Sequence, residues 1–391
     1  MDYGTLSLKQ HEEWRGKIET KVRVSISNRH DLSVAYTPGV AASCLAIQQN
    51  PELSFSLTRR WNTVPVITDG TAVLGLGDIG PEAGMPVMEG KCALFKEFAD
   101  VDAFPLCVRS KDVNTIVETI KLLEGSFGGI NLEDISAPRC FEIEQRLKNE
   151  LDIPVFHDDQ HGTAVVTAAG LLNALKLVGK SMSQIKVVIN GSGAAGIAIA
   201  KYLLRYRVAE IIICDSQGII CQGDPRLKSN AAKVEIASLT NHKNVSGILK
   251  DAMVGADVFI GVSKGNTVTK EMVRSMNKDA IVFTCANPVP EISREDALEA
   301  GAAIVGSGSS AKPNQINNVL VFPGLFRGAL DVRAKDITYD MMMAASEAIA
   351  WIVGDDLRSD YILPYAWDKR SHEAVASAVA KVARSTGIAR Q

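Results

Sequence analysis

Two pairs of adjacent carboxylates are the side chains in this sequence best suited to chemistry. Glu133 stands next to Asp134, and Asp158 stands next to Asp159. Both pairs lie near the expected ends of secondary-structure elements. Carboxylate oxygens favour Mg²⁺ or Mn²⁺, whereas zinc prefers nitrogen or sulfur ligands. The two pairs predict a site for a hard divalent cation, although an isolated acidic pair is more often a solvated surface or a helix cap.

Two histidines beside the second pair raise a zinc alternative. His157 and His161 are four residues apart and would share one face of a helix. We expect Gly162 to break such a helix, and no third nitrogen or sulfur ligand is apparent. The seven cysteines show no paired metal-binding spacing. The sequence therefore favours oxygen ligation.

A glycine-rich motif supplies the second chemical signal, because it follows an apolar strand and precedes a helix. In this context the first glycine makes a tight turn, the second lets the backbone approach a pyrophosphate, and the third lets the helix pack on the strand. An acid then closes the next strand, roughly twenty residues on, where a carboxylate can bind the adenosine ribose. The predicted NAD or NADP site comprises Gly191, Ser192, Gly193, Ala194, Ala195, Gly196 and Asp215.

A second literal match to the same motif spans residues 75–80. Pro81 follows at once, and no acid-ended strand comes at the right distance. We interpret this segment as a tight loop that borders an active site. A plain surface turn is an equally open alternative.

The elements that must position these groups divide the chain into unlike halves. From Ile185 onward, short apolar strands alternate with helices, which is typical of a doubly wound parallel sheet of the Rossmann type. Upstream of about Asp158, amphipathic helices mix with strand-like pieces. The sequence predicts an α/β fold with a mixed N-terminal substrate domain (1–160), a dinucleotide-binding domain (161–335), and C-terminal helices (336–391) that pack back on the first domain. A helix that opens near Thr163 is the expected junction.

Composition narrows the class of protein. The chain has 391 residues, 46% of them hydrophobic and 22% charged, with a formal net charge of -3. This balance offers no basic surface for nucleic acid or an anionic membrane. Residues 1–17 lack the apolar stretch of a secretory signal, and the apolar stretches at 164–175 and 341–353 are too short to span a bilayer. We expect a cytoplasmic protein with core helices at those stretches.

Several short motifs run along the chain between Tyr36 and Arg333: Tyr36-Thr37-Pro38-Gly39-Val40-Ala41, Thr68-Asp69-Gly70, Leu74-Gly75-Leu76-Gly77-Asp78, Glu89-Gly90-Lys91, Asn131-Leu132-Glu133-Asp134-Ile135, Asp158-Asp159, Asn287-Pro288, Asn317-Asn318-Val319 and Phe322-Pro323-Gly324. In this order they resemble the malic enzyme family, specifically its short bacterial form. Chance rarely produces so many motifs in one order.

The resemblance implies roles for individual residues. Lys91 occupies the position of the family's general base, and Tyr36 that of its general acid. Asp158 would orient or tune the lysine. Taken alone, Lys91 would be interpreted as a surface lysine and Tyr36 as a half-buried core tyrosine. The implied ligands of Mg²⁺ or Mn²⁺ are Glu133, Asp134 and Asp159.

The resemblance also implies a substrate site. Asn287, at the carboxyl end of a strand, would contact malate and the cofactor, and Asn317 and Asn318 would contact malate. The chain departs from larger family members at Ala72, where they carry an arginine. Recognition of the substrate carboxylate must therefore differ. The candidates for the replacing group are Arg23, Arg29 and Lys96.

The implied activity is the oxidative decarboxylation of L-malate to pyruvate and CO₂ with reduction of NAD or NADP, together with decarboxylation of oxaloacetate. Asp215 would repel the 2′-phosphate of NADP and Ser216 offers no cation, so we expect NAD to be preferred. A homodimer or higher homo-oligomer is expected. Two alternatives stay open: an amino-acid dehydrogenase-like oxidoreductase, which needs no metal, and an inactive nucleotide-sensing protein.

Overall fold

Two sheets form the framework of the computed structural model, which describes residues 3–391. The first sheet contains four strands: β1 (Thr63–Thr68), β2 (Asp102–Cys107), β3 (Ile130–Leu132) and β4 (Val155–His157). They are all parallel, in the order β2-β1-β3-β4. Apolar clusters cover both faces, so β1, β3 and β4 are buried almost throughout.

The second sheet contains six strands: β5 (Lys186–Asn190), β6 (Glu210–Asp215), β7 (Gly218–Ile219), β8 (Val258–Gly261), β9 (Ala280–Thr284) and β10 (Ala302–Ser307). Their order is β10-β9-β8-β5-β6-β7, and only β7 runs antiparallel to its neighbour. The chain order reverses between β5 and β8, which opens the crevice where doubly wound sheets bind dinucleotides. The predicted α/β fold with a Rossmann-type sheet is confirmed.

Helices connect and cover these strands: α1 (Tyr3–Trp14), α2 (Arg29–Ala35), α3 (Val40–Gln49), α4 (Ser54–Leu57), α5 (Pro81–Ala99), α6 (Val113–Leu123), α7 (Arg139–Glu150), α8 (Asp158–Val178), α9 (Ala194–Arg205), α10 (Ala231–Leu239), α11 (Leu249–Met253), α12 (Lys270–Arg274), α13 (Arg294–Glu299), α14 (Phe322–Asp331), α15 (Tyr339–Ile352) and α16 (Lys369–Ser385). The amphipathic pattern of α6 buries Ile116, Val117 and Ile120 on one face, as helical spacing requires.

Helix α8 differs from the sequence-based expectation in two respects. It begins at Asp158, directly after β4, instead of near Thr163, and Gly162 lies inside it. The prediction that Gly162 breaks the helix is therefore wrong. A Cβ at this glycine would overlap the Asp158 carboxylate, so the missing side chain makes room for that group. By length and composition α8 could cross a membrane, but 67% of that stretch is buried, so it is the expected core helix, made longer.

The two C-terminal helices pack back on the earlier part of the chain. α15 packs on α8 and α16, and α16 packs on α14 and α5. Phe95 of α5 shares a core with Val375 and Val379 of α16. Of these partners, α5 belongs to the predicted first domain, whereas α14 and most of α8 lie in the predicted dinucleotide-binding range. The domain limits at residues 160 and 335 and the assignment of the tail to the first domain stay predictions.

The segment 3–61 contrasts with the rest of the chain, because none of its residues is buried. Helices α1, α2 and α3 contribute nothing to the core. Large apolar side chains nevertheless recur along it and lie open to solvent: Tyr3, Leu8, Trp14, Val22, Val24, Ile26, Leu32, Val34, Tyr36, Leu45 and Leu57. Within one copy of the chain, Ile18 and Phe55 of this segment pack against the core, while the side chains named above stay in solvent.

Candidate active site

The carboxyl edge of the first sheet brings the two acidic pairs together. Leu132 of β3 pairs with His157 of β4 in parallel register. Each strand is followed at once by its acidic pair, so neighbouring strands deliver all four carboxylates to one edge. Such an edge is where open α/β sheets place their ligands.

Three of these carboxylates form a cluster that suits a cation. Ligand oxygens of Glu133, Asp134 and Asp159 lie within 4.8 Å of one another. The Asp134 N–H donates to Asp159 Oδ2 at 2.7 Å, and Asp134 Oδ2 is buried without a hydrogen-bond partner. Burial, with the charges of Asp159 and Glu133, raises the pKa of Asp134 to about 9. The donor set therefore fits Mg²⁺ or Mn²⁺.

Lys91 stands at the edge of this cluster. It lies on α5 with only 7% of its side chain exposed, and Nζ donates to Glu133 Oε1 at 3.0 Å and to Asp158 Oδ2. Nζ also lies 3.9 Å from the centre of the Phe322 ring. Burial lowers the pKa of Lys91, but the carboxylates of Asp158 and Glu133 raise it by more. Lys91 is thus a buried amine in contact with carboxylates, and the surface-lysine alternative is wrong.

Asp158 links the lysine to the predicted substrate side. Its Oδ1 is buried without a hydrogen-bond partner, while Oδ2 accepts from Lys91. A Cβ at Gly162 would lie 3.1 Å from Asn318 Cβ as well as overlapping Asp158. Asn318 therefore approaches the same turn of α8. Asn317 uses its Oδ1 to accept from the Val319 N–H at 2.9 Å, which fixes the turn that carries Asn318.

The loop that follows β9 and carries Asn287, called here the Asn287 loop, contacts the segment of residues 75–80. A Cβ on Gly75 would overlap the Asn287 carbonyl oxygen and lie 3.1 Å from Pro288 Cδ. A Cβ on Gly308 would lie 2.8 Å from Asn287 Nδ2. Gly75 and Gly308 thus leave space for this loop, so Gly75 borders the carboxyl edge of the second sheet, while Leu76 and Asp78 of the same segment are exposed.

Tyr36 does not join this group within one chain. It follows α2, and 67% of it is exposed. Among the described residues the polar and ring contacts of Lys91 are with Asp158, Glu133 and Phe322. The interpretation of Tyr36 in isolation as a half-buried core tyrosine is also wrong, because its side chain is exposed.

The glycine motif of the second sheet has the expected local geometry. Gly191 has φ 128°, and a Cβ on Gly196 would overlap the Gly191 carbonyl oxygen. Both positions therefore require glycine, and α9 begins at Ala194 inside the motif. The N–H groups at the start of α9, directly after β5, are the groups that would bind a pyrophosphate.

Models of known families match both halves of the chain. Residues 15–112 and 108–148 match the N-terminal domain of malic enzymes, and residues 160–384 match the NAD-binding domain of malic enzymes. The chain belongs to the malic enzyme family. The resemblance inferred from the motifs is therefore confirmed.

Relatives and solved structures in the family resemble almost the whole chain. It is 60% identical over 385 residues to a bifunctional malic/malolactic enzyme of Bacillus subtilis (strain 168), covering 98% of this chain and 94% of that protein. It is 55% identical to an NAD-dependent malic enzyme of Geobacillus stearothermophilus, covering 96% and 78%. An NAD-dependent malic enzyme structure from Thermotoga maritima gives a TM-score of 0.92 at 50% identity, covering 95% and 98%.

A malic enzyme must hold a dicarboxylate, and the structure locates the cations considered for this purpose. Lys96 lies near the C-terminal end of α5 and forms ion pairs with Asp102, at 2.8 Å, and with Asp100. Arg23 and Arg29 lie in the exposed segment 3–61. Within a single chain, none of the three reaches the carboxylate cluster through a hydrogen bond or ion pair.

The sequence missed an arginine beside the Ala72 turn. Arg139 Nη1 donates to Asp69 Oδ2 at 2.7 Å, and its Nη2 donates to Thr71 Oγ1 at 2.9 Å. The Ala72 N–H donates to the Asp134 carbonyl oxygen at 3.0 Å. Arg139 therefore fixes the loop that supports a predicted metal ligand of this malic enzyme. Its only sequence signal was its position shortly after the Glu133–Asp134 pair.

The two histidines of the zinc alternative face a buried glutamate. Glu144 accepts from the His157 N–H at 3.2 Å, from Gln160 Nε2 at 3.0 Å and from His161 Nε2 at 2.9 Å. Burial favours the neutral acid, but His161 outweighs it, so the pKa of Glu144 falls to about 2. Glu144 thereby anchors the turn that carries Asp158 and Asp159. An acid on the apolar face of α7 was the signal available in the sequence.

Proposed function

We propose that this protein oxidises and decarboxylates L-malate to pyruvate and CO₂ while reducing NAD or NADP. Membership of the malic enzyme family supports this activity. The observation that carries the assignment is the buried Lys91 beside three clustered carboxylates and Asp158. We also propose that oxaloacetate is decarboxylated, since this reaction uses the same site.

The side chains divide the work. We propose that Glu133, Asp134 and Asp159 hold the cation. The cation would polarise the C2 oxygen of malate, and the dinucleotide would accept the hydride from C2. Lys91 removes the C2 hydroxyl proton, and Asp158 orients its Nζ. Lysine is a base only when neutral, and a positive charge held by Glu133 would oppose the carboxylates that raise its pKa.

We assign Tyr36 as the acid that protonates C3 of the enol, and we propose that a second copy of the chain supplies it. Tyr36 is exposed in a segment that buries none of its residues, although that segment carries large apolar side chains throughout. Exposed apolar surface of this extent marks an interface. In a two-fold dimer, each copy would place its segment 3–61 on the other copy and Tyr36 in the other copy's site.

Chelation tests the proposed function against its nearest enzyme alternative. An amino-acid dehydrogenase needs no divalent metal for hydride transfer. We expect EDTA to abolish malate-dependent reduction of NAD, and added Mn²⁺ to restore it. Oxidation of an amino acid that is insensitive to EDTA would favour the alternative, whereas no turnover of either substrate would favour the nucleotide-sensing protein.

A second activity is favoured by the 60% identity to a protein named a bifunctional malic/malolactic enzyme. We propose that the site also converts L-malate to L-lactate and CO₂. Pyruvate that stays bound would accept the hydride back from the reduced cofactor at C2, so the overall reaction consumes no oxidant. Lactate formed in excess of the NAD supplied would support this proposal, and pyruvate as the sole product would contradict it.

The cofactor preference depends on Asp215 and on a lysine that the sequence analysis missed. Lys233 Nζ lies 2.9 Å from Asp215 Oδ2, and the Gln217 N–H donates to Oδ1 at 2.9 Å. Burial disfavours the charged acid, but the hydrogen bond from Lys233 outweighs it and lowers the pKa of Asp215. Asp215 can accept hydrogen bonds from the ribose diol of NAD. The charge of Lys233 limits the repulsion between Asp215 and the 2′-phosphate of NADP.

We therefore expect NAD to be preferred and NADP to be accepted weakly. Replacing Lys233 by alanine should lower kcat/KM for NADP by about tenfold, the scale of one charge-assisted hydrogen bond, and change kcat/KM for NAD by less. Initial rates with both cofactors measure this, with the exposed Lys228→Ala as control. Equal losses for both cofactors would contradict the assignment.

We propose a cytoplasmic location, consistent with seven cysteines that are all free thiols. We also propose that the partners are limited to small molecules and further copies of the chain, without nucleic acid or membrane.

A further inference from the structure

One fully buried carboxylate lies outside the predicted catalytic group. Glu291 is 0% exposed and follows the Asn287 loop. Within residues 3–391 it forms no ion pair, and the Cys285 thiol is the titratable group whose charge couples to it. Lys264, on the adjoining loop, is exposed, and Arg294, on α13, acts on Glu295 instead.

The carboxylate joins the loops that leave two neighbouring strands. Its Oε1 accepts from the Ser263 N–H at 3.4 Å, after β8, and its Oε2 accepts from the Ala286 N–H at 3.3 Å, after β9. The backbone repeats this connection, because the Val268 N–H donates to the Glu291 carbonyl oxygen at 3.1 Å. Glu291 therefore holds two loops at the carboxyl edge, where the cofactor is expected to bind.

The fold makes space for this side chain. A Cβ on Gly261, at the end of β8, would overlap Glu291 Cδ and Oε1. A Cβ on Gly265 would lie 2.6 Å from the Val289 carbonyl oxygen. Gly261 leaves space for the Glu291 carboxylate, and Gly265 lets the two loops come into contact. The position of Glu291 therefore depends on glycines at the carboxyl edge of the second sheet.

We propose that ionised Glu291 is a positioning residue that holds the Asn287 loop in the conformation that binds the nicotinamide end of the cofactor and malate. This inference rests on the proposed function, because it assigns Asn287 to that site. An ionised carboxylate accepts from both backbone N–H groups, whereas a protonated one presents a donor at one oxygen. Protonation would therefore release one loop.

The direction of the pH dependence follows from burial. Burial raises the pKa of Glu291 to about 7, against backbone hydrogen bonds that lower it. The ionised, holding form is therefore present above neutral pH and is lost as the pH falls through 7. Affinity for NADH and for malate should weaken over this interval, while kcat changes less.

The test is Glu291→Gln, which keeps the shape and removes the ionisation. Fluorescence titration gives Kd for NADH from pH 6 to 8.5, and initial rates give KM and kcat for malate. At pH 8 we expect both Kd and KM to rise about tenfold, the scale of one hydrogen bond to a charged group, and to become independent of pH. Glu295→Gln is the control, since Glu295 is exposed and pairs with Lys312.

A second variant guards against misfolding. Glu291→Asp keeps the charge on a shorter side chain and should retain the pH dependence at reduced affinity. A wild-type Kd that is constant from pH 6 to 8.5, or a Glu291→Gln variant with the wild-type pH profile, would overturn the proposal. NADH binding needs no turnover, so these results are distinct from a failure of wild-type protein to oxidise malate.

Discussion

Replacing Lys91 by alanine is expected to lower the rate of malate oxidation by at least about 10²- to 10⁴-fold, the usual effect of losing a general base. The reason is its position, because Lys91 is the buried amine that contacts both Glu133 and Asp158. Decarboxylation of supplied oxaloacetate should survive in part, since no hydroxyl proton is removed in that reaction. Comparing the two rates in one preparation measures the difference.

The matched control for this variant is Lys96→Ala. Lys96 lies on the same helix but is exposed and bound to Asp100 and Asp102. It should keep wild-type rates for both reactions. Equal losses of malate oxidation and oxaloacetate decarboxylation in Lys91→Ala would show that the lysine supports the structure of the site and does not act as the base.

A purified hybrid dimer of two inactive variants is expected to show about half of the wild-type activity if the second copy supplies Tyr36. Tyr36→Phe and Lys91→Ala should each be severely impaired as homodimers. In a hybrid dimer, the chain with intact Lys91 would receive intact Tyr36 from its partner, so one of the two sites would be complete. The other site would carry both substitutions.

Two different affinity tags allow the hybrid to be purified from co-expressed chains. Malate turnover is then compared with both parent homodimers. Activity that stays at the level of the parents would show that Tyr36 acts within its own chain. The exposed Leu57→Ser, in the same segment but outside the Tyr36 motif, provides a control for interface disruption.

Signals that lie within a few residues of one another were sufficient to predict the second sheet. The glycine motif follows a strand and precedes a helix, and Gly191 and Gly196 both require glycine in the structure. The acidic pairs were also predictable as neighbours, because parallel strands deliver their following residues to one edge. The family motifs added roles that spacing alone could not assign.

Contacts between side chains account for what the sequence could not predict. The low helix propensity of glycine predicts that Gly162 ends a helix. Gly162 lies inside α8 instead, where the Asp158 carboxylate occupies the space that a Cβ would need. Lys91 has the pattern of a surface lysine, and α14 buries it by placing Phe322 against its amine. The contact between Lys91 and Phe322 joins residues that are distant along the chain, so it leaves no local periodicity in the sequence.

Residues that act through others were missed for the same reason. The roles of Glu144, Lys233 and Glu291 depend on hydrogen bonds to residues on other elements. Tyr36 is a different case, since its motif was found but a single chain leaves it in solvent. If Tyr36 is the acid, as we propose, its position depends on assembly, which neither local pattern nor the fold of one chain determines.

The most direct test of the central claim is the product balance of the purified protein with L-malate, NAD and Mn²⁺. NADH and pyruvate should form in equal amounts, CO₂ should equal the sum of pyruvate and any lactate, and EDTA should stop the formation of all of these products. NADH formed together with oxaloacetate and no CO₂, or products that form at an unchanged rate in EDTA, would contradict the account.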